Sequence, residues 1–306
     1  MDGDVLTCKT SPWPRQHVGA WETPSVAELR ERCAGLAHKP SSDGLRFLHL
    51  ATLRGVQALI ADPSNAGAVF QVASQFNALE MVGPDVSPRD GVAIYALDPT
   101  QGPKSALACP AATVFRNYLV NGKGQGETQI DNLADLGAVV GNGQGVYYVM
   151  RNGYALPATS GSIAKLGSRL EDDRALAAAA EAALRVGIHW GTQVRPPKEH
   201  RVCQVFASAL PVSYASIPSA DWAPFAKLVL GAAYDATLLA ARCKAAEAGG
   251  RVRVYLTCLG GGAFGNRPAW IRGAIQSALR KHRDAPLDVF LVHFGGSVPS
   301  VWDIGQ

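Results

Sequence analysis

The sequence predicts an α/β protein, a three-layer α/β/α sandwich on a mixed, mostly parallel sheet. Short apolar runs of strand character alternate with helix-length amphipathic stretches along most of the chain. Several of these runs end in glycine-rich or polar loops, as strands of an open parallel sheet do where they meet a ligand. No internal repeat points to a solenoid or propeller. At 306 residues, 47% hydrophobic and 18% charged, the chain can bury a large core and is too apolar to be disordered.

Residues 1–22 carry Pro12 and Pro14 and little periodicity, and read as a loose arm. Thr23-Pro24 opens a helix with Val26, Leu29, Cys33 and Leu36 on one face. After the turn Ser41-Ser42-Asp43-Gly44, the apolar stretch from Leu45 to Ile60 reads as a second helix, so residues 1–60 are expected to be an arm and helical extension packed on a core of residues 61–306. Ala68 to Ser74 is a short buried strand that runs into Gln75-Phe76-Asn77-Ala78-Leu79-Glu80. A loop from Gly83 to Asp90 precedes an expected strand from Val92 to Leu97. Asp98-Pro99-Thr100-Gln101-Gly102-Pro103 then introduces a helix over Lys104 to Leu119, bent at Pro110.

Residues 121–145 are rich in Gly, Asn and Gln and read as a polar excursion, the start of an insertion over about 120–200. Val146 to Met150 is a strand ending at Asn152-Gly153-Tyr154, and an alanine-rich helix lies around 172–187. Arg195 to Lys198 reads as surface linker, Val202 to Ala209 as a strand, and 222–248 as a long helix with Phe225, Leu228, Val229, Ala232, Leu239 and Cys243 inward. Val252, Val254, Leu256 and Cys258 alternate with Arg253, Tyr255 and Thr257, the period of a strand. A glycine-rich turn, a helix over 269–281 starting near Pro268, and a last strand from Leu287 to Phe294 complete the pattern.

The net charge of +4 permits an anionic ligand and falls far short of a nucleic-acid footprint. No apolar run reaches the ~18 residues of a membrane span, and no secretory signal is evident, so a cytoplasmic protein free of membrane and nucleic acid is expected. The 6 cysteines include no CxxC pair and the 7 histidines are scattered, so no metal site is expected. A monomer is the expected state.

The glycine turn is the strongest ligand signal. Gly260, Gly261, Gly262 and Gly265 let a ligand approach main-chain N–H groups ahead of a helix, a suitable seat for a diphosphate. It is no P-loop, since no Gly-Lys-Ser/Thr follows. Three other strand ends are polar or glycine-rich: Ser74 to Asn77, Asp98 to Gly102, and Phe294-Gly295-Gly296. Asn77 suits a sugar hydroxyl or a turn equally well, and Asp98 suits catalysis or a plain N-cap. Glu80, Asp85 and Asp90 sit in a loop whose acids are ordinarily solvated, but with Asp98 they lie close enough in sequence for paired-carboxylate chemistry at an anomeric carbon. Phe264 and Phe294 suit stacking on a base or ribose, although packing is the ordinary role of a strand Phe, and His293 reads as structural.

These residues together resemble a macrodomain, the α/β/α module that binds ADP-ribose, over roughly residues 60–296. Val69 to Asn77 resembles the family's strand ending in Asn-Ala-Ala-Asn, with Asn77 at the last Asn. Asn152-Gly-Tyr-Ala-Leu-Pro157 is similar to the family's Pro-Gly-Tyr-Asn-Leu-Pro, and Leu259 to Gly265 to its second phosphate loop. The glycine cluster that usually follows the Asn strand is absent, as is the Gln-Glu-Glu of poly(ADP-ribose) glycohydrolases. The segment Asp90-Gly…Asp98-Pro-Thr-Gln-Gly-Pro looks most like MavL-type macrodomains, hydrolases of arginine-linked ADP-ribose, including that on ubiquitin.

The resemblance implies an ADP-ribosyl-arginine hydrolase whose protein partner carries the modification and whose product is ADP-ribose, with no cofactor required. It makes Asp90 and Asp98 the catalytic pair, with Glu80 beside them. The implied ADP-ribose ligand set has Asn77 at the distal ribose, Gly260, Gly261, Gly262, Ala263, Phe264 and Gly265 at the diphosphate, and Phe294 or a neighbour at the adenine, with Gln75, Thr100, Gln101 and Asn266 as further ligand-binding residues. A non-catalytic ADP-ribose reader and a hydrolase of a free ADP-ribose derivative remain alternatives.

Overall fold

The computed structural model describes residues 1, 3–36 and 44–302. Its strands are β1 (Val5–Thr7), β2 (Arg15–His17), β3 (Ala20–Glu22), β4 (Arg46–Thr52), β5 (Val69–Ala73), β6 (Tyr148–Arg151), β7 (Tyr154–Pro157), β8 (Gly187–Gln193), β9 (Arg201–Ala207), β10 (Val252–Leu256) and β11 (Leu287–Phe294). The helices are α1 (Val26–Gly35), α2 (Gly55–Ala61), α3 (Gln101–Ala108), α4 (Pro110–Tyr118), α5 (Ala134–Val140), α6 (Ser162–Asp172), α7 (Arg174–Ala183), α8 (Ser219–Ala248) and α9 (Pro268–Lys281).

Seven strands form the main sheet in the order β3-β8-β9-β5-β10-β11-β4. From β9 to β4 all neighbours are parallel, and β8 runs antiparallel to both β3 and β9. One face is covered by α8 with α1, α6, α7 and α9 packed around it, the other by α2, α3 and α4. This is the three-layer α/β/α sandwich expected from the alternation of strands and helices.

The two-residue period of β10 explains how it serves both layers. Val252, Val254 and Leu256 join the core beneath α8. Tyr255 points to the opposite layer, stacked between Phe70 at 4.6 Å and Phe290 at 5.2 Å. In α8, Phe225, Val229, Ala232, Leu239 and Cys243 are buried as its period requires, and Leu228 is half-buried. This 30-residue helix is long and apolar enough to cross a membrane, but 72% of its apolar window is buried inside the fold. A helix wrapped on most sides by its own protein is apolar nearly all round.

Several expected elements change type. The Leu45–Ile60 stretch is no single helix: β4 pairs with β11 over seven residues, and only Gly55–Ala61 is helical. The arm supplies β1, β2 and β3, and β3 and β4 are the two edges of the main sheet. Val92–Leu97 is a 3₁₀ helix rather than a strand, set off by Gly91 at φ +78° and anchored by fully buried Tyr95. The Lys104–Leu119 helix breaks into α3 and α4 at Cys109, just before Pro110. The polar excursion contains α5, and the single helix expected over 172–187 is the end of α6, then α7, then the start of β8. At Gly187 an added Cβ would meet the Trp21 ring at 2.3 Å, so β8 can lie against that ring only without a side chain there. Ser41 to Asp43 of the expected turn lie outside the described residues.

One ion cluster joins four helices. Asp235 of α8 is 2% exposed and accepts from Arg30 of α1 at 2.5 Å, from Lys281 of α9 at 3.2 Å, and from His282, just past α9, at 2.8 Å. Arg30 and Lys281 also hold Glu181 of α7. Burial alone would raise the Asp235 pKa, but the His282 and Arg30 hydrogen bonds and the Lys281 charge hold it well below the ordinary carboxylate range. A depressed folded-state pKa contributes stability that is present above the unfolded pKa and lost as the pH falls below about 4. Asp235→Ala, which leaves the cations without their buried partner, is expected to cost about 3 kcal/mol. Its denaturant midpoint should also lose much of the wild type's sensitivity to acid.

Candidate functional site

The site begins where two central strands part. β9 follows β5 along its whole length, whereas β10 pairs with β5 only at Val69 and Phe70. Beyond that point the Gln101 side chain bridges the gap. Its Nε2 donates to the Gln71 carbonyl at 2.9 Å and its Oε1 accepts the Ala73 N–H at 2.8 Å. Buried backbone groups need such partners, so Gln101 has a structural duty at the floor of the cleft. The opening lies at the carboxyl ends of β5 and β10, where open α/β sheets place ligands.

The cleft has two lobes. The larger, about 730 Å³, is lined by Gln75, Glu80, Asp90, Asp98, Thr100 and the loop after β10. The smaller, about 460 Å³, is lined by Arg54, Lys104, His293, Phe294 and Trp302, with Gly261 and Gly262 on its border. Pro99, Gln101, Thr257, Cys258 and Gly262 line both. Charge is segregated between them. Among the described residues, Glu80, Asp90 and Asp98 are the only charged ones of the large lobe, whereas the small lobe has Arg54 and Lys104 and no carboxylate.

The glycine loop forms the boundary. Gly260 has φ +70°, and a Cβ there would sit 2.4 Å from the Ala209 Cβ. Gly265 has φ +71° and packs against Ser213, where a Cβ would meet Oγ at 2.3 Å. Asn266, 2% exposed, ties the loop down by donating to the Leu210 carbonyl at 2.8 Å. Gly265 and Asn266 therefore shape the loop and do not line either lobe. The N–H groups of Gly261, Gly265 and Asn266 are bonded within the loop, while those of Gly260, Gly262, Ala263 and Phe264 have no partner among the described residues. Such a run of free donors favours an anion.

In the large lobe, Glu80 is 2% exposed and neither carboxylate oxygen has a hydrogen-bond partner among the described residues. Its N–H donates to the Tyr95 hydroxyl at 3.0 Å, and Arg116 Nη2 lies 3.6 Å from Oε1. Burial pushes the Glu80 carboxyl up to about 7, against the pull of the Arg116 charge. Arg116 is itself fully buried, donates to the Ala78 carbonyl at 2.9 Å and stacks 3.7 Å above the Phe206 ring. Asp98 accepts the Thr100 N–H at 2.8 Å on one oxygen, and exposed Asp90 accepts the Ser87 N–H at 2.8 Å on one of its own. Asp85 stands apart, in an exposed ion pair with Arg151.

Asn77 is fully buried and lines neither lobe. It starts a relay of amides: Asn77 Nδ2 donates to Gln129, Gln129 Nε2 to Asn152, and Asn152 Nδ2 to the Pro84 carbonyl, each at 2.8 Å. The relay fixes the start of the acidic loop to the β6–β7 turn and the end of β5. Gln75 lines the large lobe while its Oε1 accepts the Met81 N–H at 2.7 Å.

Two aromatic residues of the site are not among those expected: Tyr154 figures only in the Asn152–Pro157 motif, and Tyr214 not at all. Tyr154 and Tyr214 pack with Phe264 in a triangle of ring centroids 5.2–5.6 Å apart, and all three line the large lobe. Phe294 is 81% exposed, so it is not a core residue, and it lines the small lobe. His293 is buried and bonded to His49 at 2.9 Å.

No family model matches the chain, and no curated protein matches it. Among solved structures it is similar to the poly(ADP-ribose) glycohydrolase of Thermomonospora curvata, at 13% identity and a TM-score of 0.48, over 92% of this chain and 82% of that one. It is likewise similar to the poly(ADP-ribose) glycohydrolase of Deinococcus radiodurans in complex with ADP-ribose, at 11% identity and a TM-score of 0.48, over 93% and 91% of the two chains.

Proposed function

We propose that the cleft binds ADP-ribose and releases it by hydrolysis from arginine side chains of modified proteins, ubiquitin among them. The observation that carries this reading is the order of groups along one cleft. Among the described residues, free loop N–H donors separate a lobe whose only charges are carboxylates from a cationic lobe with an exposed aromatic ring. That order matches a ligand with a base, a central diphosphate and a cationic far end.

In this scheme the N–H groups of Gly260, Gly262, Ala263 and Phe264 hold the diphosphate, and Phe294 stacks on the base. Asp98 stabilises positive charge at the anomeric carbon, and Asp90 receives the guanidinium. Glu80 lines the same lobe with neither carboxylate oxygen bonded among the described residues, and with its carboxyl pushed up to about 7 by burial it is suited to take a proton from the attacking water. The C–N bond breaks, the water oxygen bonds to the anomeric carbon, and the leaving guanidine recovers the proton, so atoms and charge balance. Gln101 shapes the floor and Asn77 braces the acidic loop from behind it, rather than touching the sugar, since their side-chain amides are already bonded.

One observation favours the reader alternative: Asp90 and Asp98 each have one oxygen engaged in a local turn, as capping residues do. A panel of arginine-, serine- and glutamate-linked ADP-ribosyl peptides with ADP-ribose-1″-phosphate separates the readings. Free ADP-ribose should appear, by mass spectrometry, from the arginine linkage alone. Release from the free phosphate ester alone would move the substrate to a nucleotide derivative. Tight ADP-ribose binding with no release from any substrate would make the protein a reader.

A further inference from the structure

We propose that the small lobe recognises a phosphomonoester on the ribose of the adenosine end, so that the preferred ligand is a ribose-phosphorylated ADP-ribose. The inference rests on the reading of the cleft as an ADP-ribose site and names a finer substrate class for it.

Arg54, in the turn between β4 and α2, and Lys104 of α3 line the same small lobe. Among the described residues, neither side chain has an ion pair or hydrogen bond, and no carboxylate lines the lobe to balance them. Other cations near the core are committed: Arg30 to Asp235 and Glu181, Arg116 to Glu80, and Arg185 to Glu28 and Asp135. Arg54 is exposed and Lys104 half-buried, and two like charges lining one concavity favour an anion there.

The diphosphate does not supply that anion in the proposed scheme, because the loop N–H groups take it at the border of the lobes. The base does not either: Phe294, whose ring lies 3.7 Å from the position a Cβ would take on Gly55, offers it a face. What remains near a base seated there is its ribose, with hydroxyls that can carry a phosphate. A planar guanidinium and an ammonium are the pair of groups suited to hold that dianion. His293 adds no charge. Burial and the neighbouring His49 keep its pKa below the usual histidine value.

Calorimetric titration of the whole protein with ADP-ribose, its 2′-phosphate and its 3′-phosphate tests this. Wild type should bind one phosphorylated isomer about tenfold more tightly than ADP-ribose, as hydrogen bonds to charged groups allow. That ratio should shrink with added salt. It should fall to near unity in Arg54→Gln/Lys104→Gln, with the thermal midpoint checked as a control on folding. A wild-type ratio near unity, or a preference that survives in the double variant, would overturn the proposal while leaving the ADP-ribose reading intact. Failure to bind any of the three would overturn both.

Discussion

Glu80→Gln is expected to lower turnover roughly 10²–10⁴-fold, the range general acid–base groups supply, and to leave ADP-ribose affinity within a few-fold. Glutamine keeps the volume and the fit beneath α3, where a Cβ on Gly102 would lie 3.1 Å from Glu80 Cγ. What it removes is a site that exchanges a proton near neutrality. A base that works in its ionised form with a pKa about 7 gives a rate that climbs as the pH passes through that value. The climb should vanish in the variant. If Glu80→Gln kept wild-type turnover and changed only stability, the carboxylate would be no more than the partner of Arg116. Asp98→Asn should also lower turnover, but without removing that pH step, because its role is charge stabilisation.

Arg116→Met should cause the largest loss of stability, about 3 kcal/mol or more. The guanidinium is fully buried, supports the Ala78 carbonyl and is the cation facing Glu80. Methionine fills part of the space above the Phe206 ring but leaves that carbonyl and the carboxyl alone. The pH dependence gives the account a second check. In wild type the folded Glu80 pKa is about 7, raised above its ordinary 4.5. Its contribution to stability is therefore full below the unfolded value and falls as the pH rises through about 7. Without Arg116 the folded pKa rises further. The variant then keeps binding a proton above pH 7 where wild type does not, so its deficit should widen with alkalinity. Urea midpoints at several pH values measure it. A deficit constant with pH would mean that Arg116 and Glu80 do not interact across their 3.6 Å separation.

Much of the frame was legible because it lies in elements whose pattern is local. β5, β9, β10 and β11 are apolar or strictly alternating runs, and α8 and α9 carry a helical period with clear ends. β3, β4 and β8 were missed for one physical reason. They lie toward the two margins of the sheet and mix polar with apolar residues, such as Arg46, His49 and Trp190, so their strand character comes from pairing partners far along the chain. Val92–Leu97 misled in the opposite way: its β-branched and aromatic content suggests a strand, but Gly91 and the burial of Tyr95 bend it into a 3₁₀ turn.

At the site, the glycine loop and the acidic segment could be placed at strand ends because parallel sheets gather their loops there. The environment of Glu80 could not be read, since it depends on Tyr95 and Arg116 arriving from separate elements. The Asn77–Gln129–Asn152 relay is equally invisible in sequence, because each amide finds its partner only in the folded chain. So is the segregation of charge between the lobes, which depends on Arg54 and Lys104 meeting from α2 and α3 neighbourhoods.

The most direct measurement is calorimetric titration of ADP-ribose into wild type and Gly262→Val. Gly262 borders both lobes, and a Cβ there would meet nothing within 4 Å, so valine can fold in place yet project branched methyls into the space between the lobes. The account predicts binding by wild type, an unchanged thermal midpoint in the variant, and affinity reduced at least about tenfold, or ~1.4 kcal/mol. Equal binding by the two proteins, both folded, would contradict it, for the diphosphate would then lie elsewhere than on the glycine loop.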